Sequence, residues 1–448
     1  MTKLFGTDGI RGIVNKDLTA ELAFKIGASV AKEEKESQGG KPLTFLVGGD
    51  TRISTDMLSS AVISGVLSLG CNVINLGVMP TPAISYLTSK LNADGAFIIS
   101  ASHNPSKYNG IKVLNNNGYK LSLDKEEKIE ELILEKFTLN DNINECGRIF
   151  ANDEAQNLYI KHLLSTLDTE IKGLKVLVDT ANGASYKTAK ELFSNFDIDY
   201  KIINNNPDGY NINENAGSTH IDNLASLVKK EGYDVGIAYD GDADRCIMVD
   251  SDGEVVDGDY ILAIASKYLK DKGKLKNNTL VGTVMSNLGL IKYCKQNNIS
   301  FKSTKVGDKY VLDLMLKEDY VLGGEQSGHI IFKDYANTGD GQLTSLMILN
   351  IMCMTSKSLK ELKNEMKKYP QVMINVEVSK DQKEEYKNNS KIEEKIKKVE
   401  KMLGNNGRIL VRPSGTENII RVMIEGQNEN EITKICKDVA TFIKKGLC

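Results

Sequence analysis

No stretch of the 448-residue sequence approaches the ~18 unbroken apolar residues of a membrane helix, so no membrane-spanning segment is expected. The first residues carry no apolar leader-like region, and the seven cysteines are odd in number, scattered and without a C-x-x-C pair, so no disulfide framework is expected. The expected setting is the cytoplasm, with reduced thiols. Neither sign of charge dominates: 57 Lys and Arg face 60 Asp and Glu, a net charge of −3. That balance argues against nucleic acid or an anionic membrane as the default partner, so any anion must be held by a local site. With 41% hydrophobic and 26% charged residues the composition is globular rather than disordered, and the length calls for roughly three domains.

Arginine is scarce. Only seven of the 57 basic residues are Arg, at 11, 52, 148, 245, 408, 412 and 421. A chain that defaults to Lys is expected to keep Arg for places needing a planar, bidentate fork on phosphate or carboxylate. Arg11, Arg52, Arg245, Arg412 and Arg421 fall in loops rich in Gly, Asp and Ser and are anion-site candidates. Inter-loop salt bridges are the competing role, above all for Arg52. Cys246 opens the apolar run Cys246-Ile247-Met248-Val249 and reads as a buried core thiol.

Apolar runs of strand length alternate with amphipathic helical stretches almost throughout. Strands are expected over 43–47, 72–76 and 95–99, with helices over 56–69 and 82–91, which is doubly wound α/β. After a charged helix over 123–137 and a polar stretch over 140–144, the pattern restarts. It gives strands over 175–179, 200–203 and 235–239 and helices over 184–193 and 223–230. A third unit begins after Val255-Val256-Asp257-Gly258-Asp259, with a helix to Leu269, strands over 280–284 and 301–306, and helices over 288–296 and 310–316. Beyond Pro370 the pattern becomes a small α+β domain, with strands over 372–378, 409–412 and 419–424, one long Lys/Glu helix over 382–403 and a final helix. Domains are therefore expected at 1–150, 151–252, 253–369 and 370–448. The three similar units suggest an old repeat, although no similarity beyond element order is visible.

Four loops carry the chemistry. In Asp240-Gly241-Asp242-Ala243-Asp244-Arg245, after an apolar strand, spacing two puts three carboxylates on one side of extended backbone. Two carboxylates ~4 Å apart repel by about 4 kcal/mol at an effective dielectric of 20, so three require a cation. An incomplete set of hard oxygen ligands points to Mg²⁺. In Ser100-Ala101-Ser102-His103-Asn104-Pro105, Ser102 stands at the carboxyl end of a strand, where open α/β sheets place ligands, and is the nucleophile candidate. No G-x-S-x-G elbow surrounds it, and His103 is too near in sequence to serve easily as its base. Arg412-Pro413-Ser414-Gly415-Thr416-Glu417, with Arg421 beyond it, describes a phosphate cradle, and Gly323-Gly324-Glu325-Gln326-Ser327-Gly328-His329 suits sugar hydroxyls.

These residues resemble a known family. Residues 100–112, 240–245, 324–329 and 412–416 occur in the order and spacing of the α-D-phosphohexomutases, and the resemblance spans essentially the whole chain. Together with Phe5-Gly6-Thr7-Asp8-Gly9-Ile10-Arg11-Gly12, the loop at 324–329 is most similar to the bacterial amino-sugar members. Gly49 and Ala216 depart from the usual pattern, at positions without a chemical group of the reaction.

The resemblance implies three α/β domains and a smaller α+β domain around a central cleft. It implies a phosphoserine at Ser102 and Mg²⁺ held by Asp240, Asp242, Asp244 and the serine phosphate. Glu325 and Ser327 would contact sugar hydroxyls, while Arg412, Ser414, Gly415, Thr416 and Arg421 would hold the non-reacting phosphate. Arg11, Lys112 and His329 would line the transfer site, with His103 and Arg245 in support. The implied reaction interconverts glucosamine 6-phosphate and glucosamine 1-phosphate through a 1,6-bisphosphate, feeding UDP-N-acetylglucosamine synthesis. Lys112 is the preferred acid/base, its pKa lowered by cations such as Arg11, with His329 as the alternative. The expected partner is a small sugar phosphate, and a homodimer is compatible with the sequence. The rivals are a mannose or glucose phosphate mutase, a Mg²⁺-dependent phosphatase with Asp240 or Asp242 as nucleophile, and a non-catalytic sugar-phosphate sensor.

Overall fold

A computed structural model describes residues 4–6, 8–39, 41, 43–134, 146–414 and 417–447. Contacts divide the chain into two compact units, one of residues 1–285 and 299–365, the other of 286–298 and 366–448.

The first sheet is built from β1 (Ile10–Ile13), α1 (Ala20–Ser37), β2 (Thr44–Gly49), α2 (Ser54–Leu67), β3 (Asn72–Val78), α3 (Thr81–Lys90), β4 (Gly95–Ile99), β5 (Tyr108–Asn115), α4 (Leu123–Leu134) and β6 (Ile149–Ala151), in the strand order β1-β5-β4-β2-β3-β6. The second contains α5 (Ala155–Ser165), β7 (Lys172–Asp179), α6 (Tyr186–Phe193), β8 (Asp197–Ile203), α7 (Asp222–Glu231), β9 (Val235–Tyr239), β10 (Cys246–Asp250) and β11 (Val255–Val256), ordered β11-β10-β9-β7-β8. The third sheet, ordered β13-β12-β14-β15, comes from α8 (Gly258–Asp271), β12 (Thr279–Thr283), α9 (Leu288–Gln296), β13 (Ser300–Thr304), α10 (Asp308–Glu318), β14 (Leu322–Gly324), β15 (Ile330–Phe332), α11 (Gly341–Thr355) and α12 (Leu359–Lys363).

One four-strand frame recurs in all three. β2, β7 and β12 each pair in parallel with the next strand in sequence (β3, β8, β13) and with the following one (β4, β9, β14). Each of those last strands then turns back into an antiparallel neighbour, β5, β10 or β15. The sheets are thus parallel cores extended by an antiparallel hairpin, and the loops at 100–107, 240–245 and 325–329 are the three hairpin turns. β4 and β9 are buried at every position, as strands covered on both faces must be, which is why they read as continuous apolar runs.

In the second unit β16 (Gln371–Glu377), α13 (Lys380–Tyr386), α14 (Ser390–Leu403), β17 (Gly407–Pro413), β18 (Ile419–Gly426) and α15 (Glu429–Gly446) form an antiparallel sheet ordered β16-β18-β17 with helices packed against it. Helix α9 belongs to this unit: buried Glu425 on β18 accepts from Asn287 Nδ2 at 3.0 Å and Leu288 N at 3.1 Å. The single Lys/Glu helix expected over 382–403 is two helices, because Asn389 takes extended backbone and caps α14 through Ile392 N. The expected helix over 123–137 ends at Leu134 among the described residues, and the polar stretch at 140–144 lies outside them. Among the described residues no helix is long and apolar enough to cross a membrane.

Candidate active site

Ser102 stands in the β4–β5 turn, buried, and its Oγ donates to Asp240 Oδ2 at 2.6 Å across to the β9–β10 turn. Its neighbours explain the placement. Asp50, at the end of β2, accepts from Ser100 Oγ (2.5 Å) and from Arg52 Nε (2.9 Å), and Ser100 Oγ in turn accepts from Ser102 N (2.9 Å). Arg52 is fully buried and donates to the carbonyls of Ser102, Asn104 and Pro105. It is therefore a brace for the Ser102 loop rather than an anion contact, the role that competed for it on sequence grounds. His103 Nδ1 lies 3.4 Å from Ser102 Oγ; burial, with the Arg245 and Arg11 charges nearby, lowers the ring to about 4, so it is neutral.

The three carboxylates of the β9–β10 turn converge, with one oxygen from each within 4.8 Å of the others. All three side chains are buried. Burial and the charges of Asp244 and Asp242 push Asp240 well above the usual carboxylate range. Asp244 is held below that range: burial opposes ionisation, but His329, Lys112 and Arg245 outweigh it. Asp242 accepts from Thr81 Oγ1 at 2.7 Å and Lys112 Nζ at 2.9 Å through one oxygen, while its Oδ1 and the Oδ1 of Asp244 are buried without a donor. Two orphaned carboxylate oxygens beside a third carboxylate are what a hard cation would satisfy.

Lys112, on β5, overturns one expectation. Its Nζ sits 2.9 Å from Asp242, 3.1 Å from Asp8 and 3.8 Å from Asp244. Burial favours the neutral amine, yet these three carboxylates outweigh both burial and Arg11, so the pKa is raised rather than lowered and Lys112 is a fixed cation. A carboxylate chain continues from it: Asp8 pairs with Arg11 and with Lys120 (2.6 Å), and Lys120 with Asp308 at the start of α10 (2.5 Å). His329 closes the chain, Nδ1 3.6 Å from Asp244 and Nε2 3.9 Å from Asp308. Burial lowers its pKa, but Asp244 and Asp308 raise it further, for a net upward shift. Gly339 N donates to Nε2 at 3.0 Å, which places the neutral ring's proton on Nδ1, toward Asp244. A cavity of about 290 Å³ opens onto Asp8, Lys112, Asp244, Asp308 and His329.

In the β14–β15 turn Glu325 is half-buried, its carboxylate accepting from Gly307 N at 3.0 Å, and Ser327 is exposed. Arg245 and Arg11 each leave a buried Nε without a hydrogen-bond partner. The fourth loop lies in the second unit. Arg412 on β17 stands directly across from Arg421 on β18, with Ser414 buried beyond them; Gly415 and Thr416 lie outside the described residues. Like charges opposite each other on a sheet repel, and Arg421 reaches Glu417 at 2.6 Å with its Nε still unpartnered.

Sequence reasoning missed Asp8 as a charge partner, Thr81, Lys120 and Asp308. Asp8 was legible beside Arg11. The other three carry no local signal, because only the packing of α3, the segment after β5 and α10 beside the Asp240–Asp244 turn and His329 gives them a role.

Four family models described as phosphoglucomutase/phosphomannomutase match in order: α/β/α domain I over residues 2–139, domain II over 157–253, domain III over 257–369 and the C-terminal domain over 373–442. The chain is 50% identical over 447 residues to a phosphoglucosamine mutase of Clostridium novyi (strain NT), covering 99% of each. It is 50% identical over 450 residues to one of Clostridium botulinum (strain Kyoto / Type A2), again covering 99% of each. In fold it is similar to a phosphoglucomutase/phosphomannomutase family protein from Burkholderia thailandensis, with TM-score 0.83 at 23% identity over 100% of this chain and 98% of that one. An N-acetylphosphoglucosamine mutase of Aspergillus fumigatus, solved in complex with GlcNAc-6P and magnesium, aligns with TM-score 0.68 at 17% identity over 99% and 96% of the two chains.

Proposed function

The chain belongs to the phosphoglucomutase/phosphomannomutase family, and on that premise we propose that it interconverts glucosamine 6-phosphate and glucosamine 1-phosphate through a phosphoserine and a sugar 1,6-bisphosphate. One observation carries the reading. A buried serine hydroxyl lies 2.6 Å from one carboxylate of a triad whose other two members each have an oxygen without a donor. That is a nucleophile beside an incomplete cation site. The 50% identity to phosphoglucosamine mutases supports the amino sugar as substrate. An aspartyl nucleophile is disfavoured, because Asp240 is engaged by Ser102, and Asp242 by Lys112 and Thr81.

Ser102 carries the phosphate and gives it to the free hydroxyl of the bound sugar phosphate; the bisphosphate turns around, and its other phosphate returns to Ser102. Asp240, Asp242, Asp244 and the serine oxygen would hold Mg²⁺. When bound, the ion neutralises the transferring group. Lys112, a fixed cation, adds to that neutralisation, and Arg11 and Arg245 offer Nε–H groups that lack a hydrogen-bond partner to phosphate oxygens. His329 takes the acid–base part, since its neutral ring accepts at Nε2 and carries a proton on Nδ1, whereas Lys112 is held as a cation by three carboxylates. Glu325 and Ser327 read the sugar hydroxyls. Arg412, Ser414, Gly415, Thr416 and Arg421 grip the phosphate that is not reacting, and the Arg412–Arg421 repulsion is relieved when an anion sits there. In this reading residues 1–150, 151–252, 253–369 and 370–448 are the phosphoserine, metal, sugar and phosphate domains. The protein works in the cytoplasm, supplying glucosamine 1-phosphate for UDP-N-acetylglucosamine.

Mass spectrometry of the purified protein should find a substoichiometric phosphate on Ser102, and Ser102→Ala should lose turnover by orders of magnitude. kcat/KM compared on the 1-phosphates of glucosamine, mannose and glucose should favour glucosamine. Full activity in Ser102→Ala rejects the mechanism, and equal or better use of mannose or glucose 1-phosphate rejects the substrate.

A further inference from the structure

Ser102 has φ of +52°, a left-handed backbone that residues with a Cβ avoid and that persists only where the surroundings over-determine it. Both sides of its peptide frame are pinned. On the N–H side, Ser102 N donates to Ser100 Oγ, itself bonded to Asp50. On the carbonyl side, the oxygen receives two buried donors at 2.9 Å, Arg52 Nη2 and Asn213 Nδ2. The same two groups reach the carbonyl of Asn104, at 2.7 and 3.2 Å. Arg52 comes from the β2–α2 connection and Asn213 from the β8–α7 connection of the neighbouring sheet. A third wall is Gly241 of the metal loop: a Cβ there would lie 2.5 Å from the Ser102 oxygen and 2.8 Å from Asn213 Nδ2.

We propose that Arg52, Asn213 and Gly241 form a cage around the Ser102 carbonyl that fixes the serine's left-handed backbone and so aims its Oγ at the metal loop, making Arg52 and Asn213 positioning residues for phosphoryl transfer. With the N–H and carbonyl sides both held, χ1 is the one rotation left to place Oγ. None of the three touches the reacting atoms. Asn213 is the informative member, because it ties a residue of the second sheet to the nucleophile of the first. The cage therefore registers the serine loop against the carboxylate turn as well as holding its shape. The inference rests on the reading of Ser102 as the phosphoryl carrier.

The test is Asn213→Gly. Asn213 itself has φ of +58°, which glycine adopts without strain, so the substitution deletes the amide and leaves the backbone at ease. Asn213→Asp is the isosteric companion, keeping the volume while replacing the donor with an acceptor that faces two carbonyls. For each, the rate at which Ser102 takes phosphate from glucose 1,6-bisphosphate is followed by intact-protein mass spectrometry, beside kcat, KM and the melting temperature of the full-length protein. Both variants should load Ser102 and turn over at least tenfold more slowly, with KM within twofold and melting within a few degrees of the parent. Loading at the parental rate overturns the cage, as does a loss confined to KM or a loss accounted for by the unfolded fraction in both variants. Ser102→Ala run alongside separates the two claims. If it still turns over, the carrier reading falls; if it is inert while both Asn213 variants are unimpaired, only the cage falls.

Discussion

Beside Ser102, His103 is buried enough, and near enough to Arg245 and Arg11, for its imidazole to be lowered to about 4, against about 6.5 in an unfolded chain. Between those values the unfolded chain binds a proton that the native state refuses. Native stability should therefore fall as pH drops from about 6.5 to about 4, by up to about 3 kcal/mol, with no contribution from this residue above that window. In the metal-free, dephosphorylated protein, His103→Asn should flatten this part of the acid limb in urea-denaturation midpoints, and an unchanged slope would show that the ring titrates normally. Three aspartates at spacing two announce convergent carboxylates whatever the fold, and Ser102 was marked by the strand that precedes it. The protonation state of Lys112 is not legible in the sequence, where Arg11 is the visible neighbouring charge and points to a lowered pKa. The carboxylates of Asp8 and Asp242, which decide the matter, reach Nζ only through folding.

At the scale of elements, the strand pair β17–β18 sets Arg412 opposite Arg421. The Arg421–Glu417 ion pair is partly exposed, with side-chain accessibilities of 31% and 56%, and such pairs contribute about 0–1 kcal/mol. Removing Arg421 also removes a cross-strand repulsion, so Arg421→Gln should leave the melting temperature within about 2 °C of the parent. A charge-assisted phosphate contact is worth about 1.5 to 3 kcal/mol, so the KM for sugar phosphate should rise roughly ten- to a hundredfold, with bisphosphate released into the medium. A lowered melting point without released bisphosphate would identify Arg421 as structural. Elements were legible where periodicity or turn chemistry marked them: β4, β9 and α9 fall where the pattern put them. Helix α11 escaped because it is buried at every position from Gly341 to Met352 and so shows no polar stripe. The short strands β14 and β15 offer three residues each, too few to declare a period.

For the molecule as a whole, the Asp240, Asp242 and Asp244 carboxylates proposed to hold Mg²⁺ lie entirely in the first unit, whereas β16, β17 and β18 lie in the second. Mg²⁺ at a hundred times its dissociation constant should stabilise the folded state by about 2.7 kcal/mol. Hydrogen exchange should show added protection across residues 240–250 and none across 371–426. Protection spread evenly over both stretches would mean that the two units unfold as one. Asp242→Asn removes a ligand and should abolish the gain. Four-part organisation was visible in the sequence as a restart of the strand–helix pattern, but the repeated frame was not, since strand order and polarity leave no trace in composition. Each turn is presented by hydrogen-bonded strands on both sides, so its position is inherited from the scaffold and its chemistry from a few residues. On the proposed reading, in which the turn between β14 and β15 reads the sugar, exchanging four or five side chains there would alter substrate preference while the Ser102 and Asp240–Asp244 turns, each held by its own strands, kept their shape.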